Sequence, residues 1–84
     1  MRFVNLDFRL HAITPNGGKI ERAEALLPNG RVVSVLRGMK SAVANWDYET
    51  CRLNETPLNP RKHATAEGVE EELAAVASLP EIMP

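Results

Sequence analysis

The stretch TPNGGKIERAEALLPNGRVV, residues 14 to 33, carries the tripeptide Pro-Asn-Gly twice, and only the first copy is followed by a second glycine, Gly18. Between the two copies, KIERAEALL fits two periods. Ile20, Ala23 and Leu27 recur as they would on a helix, whereas Ala23, Ala25 and Leu27 alternate as they would on a strand. The flanking loops arbitrate. A helix confined between them has only about two turns and is marginal by itself, while strands on either side of each loop form hairpins directly. The segment is therefore read as a strand.

Loop length then sets register. At Pro28-Asn29-Gly30 a two-residue hairpin loop would put Pro28 in the ladder, where it has no N–H to give. A three-residue loop avoids this, with Pro28 and Asn29 in a type I turn and Gly30 at positive φ. Leu27 then faces Arg31, Ala25 faces Val33 and Ala23 faces Val35. The same loop at Pro15-Asn16-Gly17 sets Phe8 against Glu24 and Leu10 against Arg22. Including Gly18 makes a four-residue loop and exchanges the faces. On that reading Leu10 meets Ala23, Phe8 meets Ala25, Leu6 meets Leu27, and Arg9 stands opposite Glu24. Gly18 is then the register-setting residue. One face carries Leu6, Phe8, Leu10, Ala12, Ala23, Ala25, Leu27, Val33 and Val35. The other carries Asp7, Arg9, His11, Arg22, Glu24 and Ser34, with Ile20, Leu26, Val32 and Leu36 at its margins.

Working outward, Val4 to Ala12 is apolar at every even position, as in a half-buried strand, and RVVSVLR is a β-branched strand closed by Gly38. MKSAVA, residues 39 to 44, suits a short helical turn. NWDYETCRL reads as a fourth strand with Trp46, Tyr48 and Thr50 on one side, and NETPLNPRKHA, with two prolines and two asparagines, as a loop. Thr65 is placed to cap a helix over residues 66 to 79 that ends before Pro80. Val69, Leu73, Val76 and Ala77 form its apolar stripe, and Glu67, Glu70 and Glu71 lie near its positive end. The small residues Ala23 and Ala25 let this helix lie close over the sheet. The expected fold is α+β: a three- to four-stranded antiparallel meander with one C-terminal helix on one face. It makes one compact domain over residues 1 to 79 with a tail over residues 80 to 84.

Composition limits the function. The chain has 84 residues, ten basic and eleven acidic, and a single cysteine. Residues 1 to 62 hold ten basic and six acidic residues, whereas the remainder holds five glutamates and no Lys or Arg. That balance is not that of a general polyanion binder. Cys51 alone cannot form an intramolecular disulfide, the first ten residues lack the continuous apolar run of a signal peptide, and no stretch approaches the length of a membrane span. A soluble, cytoplasmic protein without a membrane partner is expected.

No phosphate-cradling, dinucleotide-binding, nucleophile-elbow or zinc-protease motif is present. Cys51 and a histidine could form a nucleophile and base, and a small buried thiol on the fourth strand is the simpler account. His11, His63 and Cys51 lack the spacing of a metal site. Glu70, Glu71 and Glu72 diverge around a helix and read as a solvated face. No catalytic residue, metal, cofactor or small-molecule substrate is indicated, and the chain is read as non-enzymatic.

Two surface readings remain. Leu26, Val32 and Leu36, with Ile20, form an apolar fringe beside charges. Either it marks a protein partner or a homodimer, with a sheet edge adding strand pairing, or a second element such as residues 39 to 44 or the tail covers it. An adaptor, or a viral or mobile-element inhibitor of a larger machine, fits a chain of this size. The alternative is a nucleic-acid-binding module in which Arg9, His11 and Arg22 hold phosphates on the outer sheet face. That reading also asks for aromatic platforms there, which Trp46 and Tyr48 supply only if the fourth strand turns them outward.

Overall fold

Both Pro-Asn-Gly loops close in the same way. In the computed structural model, which describes residues 6–42 and 45–82, Gly17 N–H donates to Thr14 O and Thr14 N–H to Gly18 O, each at 2.9 Å. Gly30 N–H likewise donates to Leu27 O and Leu27 N–H to Arg31 O, again at 2.9 Å. Gly17 and Gly30 take φ of 85° and 82°, the left-handed conformation that this three-residue loop requires of its last residue. The expectation of a four-residue first loop is thus overturned. Gly18 is the first ladder residue after the turn, the counterpart of Arg31, and does not set the register.

The face alignment that Gly18 was expected to provide comes from a β-bulge at His11. Strand β1 (Arg9–Ile13) pairs with β2 (Lys19–Leu26) as Ile13↔Lys19 and Ala12↔Ile20, then as Leu10↔Glu21 and Arg9↔Arg22. Two residues of β1 therefore oppose one step of β2, and everything before His11 changes face. Leu6 and Phe8 reach the main core as expected. Leu10, expected opposite Ala23, stands opposite Glu21 and is exposed, and Arg9 faces Arg22 rather than Glu24. Ala12 packs with Ile20 on the other side of the sheet.

The second hairpin forms as read, with Ala25↔Val33 and Ala23↔Val35 between β2 and β3 (Val32–Arg37). After α1 (Met39–Ala42) come β4 (Tyr48–Arg52) and β5 (Arg61–His63), giving a five-stranded antiparallel sheet in sequence order. β5 lies inside the segment expected to be a loop. Three residues after Pro60 carry no readable period, and the strand exists because Tyr48, Glu49 and Thr50 supply a partner for it.

Helix α2 (Ala66–Ala77) lies on one face of the sheet, here the inner face, as expected. The Thr65 hydroxyl caps it by accepting from Gly68 N–H at 3.3 Å. Val69, Leu73 and Val76 are buried against Ala25, Leu27, Val33 and Val35. Full burial of each such branched side chain contributes roughly 1.5–3 kcal/mol. The outer face has a second, smaller cluster in which Ile20 and Met39 are packed by Ala12, Leu36 and Trp46. Trp46 precedes β4 and joins this outer cluster, so it does not share a side with Tyr48, which packs on the main core. The tail past α2 is fastened down: Asn29 Nδ2 donates to Val76 O and Leu79 O at 2.8 and 3.1 Å, and Ile82 N–H donates to Asn29 O at 3.0 Å. Residues 43, 44, 83 and 84 of the expected turn and tail lie outside the described residues.

Candidate functional site

The outer sheet face is built in rows. Register carries one row across all five strands: Arg9, Arg22, Leu36, Glu49 and Lys62. At its basic end, Arg9 donates from Nε and Nη2 to Asp7 Oδ2 at 3.0 and 2.8 Å. This hydrogen bond, with the charge of Asp7, raises the guanidinium pKa further. Arg22 donates to Ser34 Oγ and to Glu24 Oε2, both at 2.9 Å. The two arginines are cross-strand neighbours, a costly arrangement for like charges, and each is offset by a carboxylate two residues away, Asp7 just before β1 and Glu24 on β2. With His11 they line an open groove of about 430 Å³, completed by Asp7, Leu10, Ala23 and Glu24. At the far end, Trp46 Nε1 donates to Glu49 at 3.1 Å and Lys62 sits 4.2 Å over the indole.

The remaining candidates separate. Leu26 is 67% exposed and pairs with half-buried Val32 at one end of the face. Leu36, like Trp46, packs against Ile20 and Met39 and so belongs to the covered part. The structure thus brings Arg9, His11 and Arg22 together, leaves Leu26 and Val32 as an apolar end, and removes Leu36 and Ile20 from the exposed fringe. Cys51 is half-buried on this face, beside Ser34, Leu36, Glu49, Thr50 and Pro60 around a space of about 70 Å³. Among the described residues, no three His, Cys, Asp or Glu side chains gather as metal ligands, and no helix is long and apolar enough to cross a membrane.

Sequence reasoning missed an ionic cluster under α2. Glu72, read with Glu70 and Glu71 as solvated, is turned inward and buried. It accepts from Arg52 Nε at 2.7 Å and Nη2 at 3.0 Å, a bidentate pair, and Arg61 Nη1 lies 3.5 Å away. Burial pushes the Glu72 carboxyl up. The hydrogen bonds and charge of Arg52, with the charges of Arg61 and His63, outweigh burial and hold it below its usual range. Buried Thr50 joins the cluster through its hydroxyl, 2.7 Å from His63 Nε2. The signal was present: Glu72 is three residues after Val69 and one before Leu73, on the apolar stripe, and Arg52 shares parity with Thr50. This cluster ties the helix to the sheet.

Compared with protein families, curated proteins and solved structures, the chain matches none of them.

Proposed function

We propose that this chain is a non-enzymatic binding protein that engages a protein partner through the outer sheet face. The observation that carries the reading is the incomplete cover of that face. α1 and Trp46 enclose one end around Ile20, while Leu26 stands 67% exposed beside Val32, and the Arg22–Glu24 and Arg9–Asp7 pairs lie next to them. An apolar anchor bordered by compensated charges matches the core-and-rim composition of protein interfaces. An adaptor, or an inhibitor of a larger machine encoded by a virus or mobile element, is the class of protein this describes. Affinity capture with the immobilised chain tests it: the wild type retains a partner that Leu26→Glu loses at unchanged circular dichroism. If instead the chain binds oligonucleotides with affinity that falls steeply with salt, and Arg9→Ala with Arg22→Ala removes that binding, the arginine groove is a nucleic-acid site and this reading fails.

A further inference from the structure

The two edges of the sheet are built differently. β5 has three residues, Arg61, Lys62 and His63, preceded by Pro60, a short charged edge that resists pairing with another chain. β1 has five, and two of them expose large apolar side chains, Leu10 at 58% and Ile13 at 62%. The bulge puts both on one side. Leu10 stands opposite Glu21 and Ile13 opposite Lys19, and those β2 positions share the face of Ala23 and Ala25. Main-chain direction follows from alternation along the ladder. Leu27 N–H bonds to Arg31 O in β2's odd-numbered set, so even-numbered Ile20 and Arg22 bond to β1. The N–H and C=O groups of Leu10 and Ile13 are thereby directed away from β2, toward the open side.

In a regular strand such outward residues recur every second position. Across His11 they are three apart, so a regular partner strand can meet only one of them in register. A second copy running antiparallel carries the same interval. With Leu10 opposite Ile13 of the second copy, both outward pairs close together and four apolar side chains meet on one face. The same register sets His11 opposite Ala12, Arg9 opposite Thr14 and Asp7 opposite Asn16, so no like charges are opposed. From this self-matching irregularity we infer that β1 is a homodimerisation edge, joining two copies about a two-fold axis into one continuous sheet. The interface uses the edge and the helix-side face; it has Arg9 and Asp7 at its margin in common with the outer-face site but does not rest on that reading.

Sedimentation equilibrium of the whole chain over a concentration series tests this. The wild type should show a monomer–dimer equilibrium that stops at two copies. Leu10→Lys with Ile13→Lys should weaken it at least about tenfold, with circular dichroism and thermal midpoint unchanged because both residues are already exposed. Leu10→Thr with Ile13→Thr, which keeps the strand preference, should weaken it as well. In a mixed sample with one copy isotope-labelled, intermolecular contacts between Leu10 and Ile13 methyl groups are expected. A wild type that stays monomeric up to millimolar concentration, assembly beyond two copies, or a dimer that survives both double substitutions overturns the inference. So does a dimer abolished by Leu26→Glu but not by the β1 variants.

Discussion

Gly17, Gly18 and Gly30 look interchangeable in the sequence and are not. Among the described residues positive φ occurs at Gly17, Gly30 and Gly38, so Gly18 makes no such demand. Gly17→Ala should cost about 1 kcal/mol or more, whereas Gly18→Ala should change stability by less than about 0.5 kcal/mol. Urea unfolding of the two variants checks this, and equal losses would restore the register role to Gly18. The asparagines divide in the same way. Asn29 is buried and its amide serves two carbonyls at the end of α2, while Asn16 is exposed. Asn29→Ala removes the amide donor from Leu79 O and one of the two donors from Val76 O, which keeps the Leu79 N–H. It should cost about 1–3 kcal/mol, with a loss at Asn16→Ala well below that. The second loop was legible as a turn. That it also receives the C-terminal segment was not, because no local pattern encodes a contact across some fifty positions.

At the scale of elements, local chemistry reached as far as local forces did. Thr65 caps α2, the stripe Val69, Leu73 and Val76 faces the sheet, and β2 pairs with β3 as the loop requires. The first hairpin defeated the same reasoning. The preferred three-residue loop and the need to bury Leu6 and Phe8 conflict, and the chain resolved them with an extra residue inside β1, where periodicity gives no sign of it. β5 escaped because tertiary pairing alone makes it a strand. The tie between α2 and the sheet is testable by pH. Glu72 is held below its ordinary value of 4.5 in the folded chain, so its stabilisation is fully present above that value and is lost as pH falls through the lower folded value. Thermal midpoints should therefore fall on acidification below about 4.5, less steeply in Glu72→Gln. Arg52→Met leaves Glu72 without its bidentate partner and should cost about 3 kcal/mol at neutral pH.

The whole molecule is a sheet with a large core under α2 on one face and a small one under α1 on the other. The outer face was legible as a mixed ionic and apolar surface, and Arg9, His11 and Arg22 do share a groove. That residues 39 to 44 can cover part of its fringe was legible; that Met39 and Trp46 take in Leu36 with Ile20 and leave Leu26 exposed was not. Leu26→Glu, which replaces a side chain already in water, should leave the thermal midpoint within about 2 °C while abolishing partner capture; loss of both together would make Leu26 a folding residue instead. The unequal settings of the two Asn-Gly pairs also govern how the protein ages. Succinimide formation needs the side-chain amide to swing onto the following nitrogen and release ammonia. Asn29 is clamped against that motion by its bonds to Val76 and Leu79, so deamidation during storage should begin at Asn16, adding a negative charge at the hairpin tip and leaving the anchored end chemically intact.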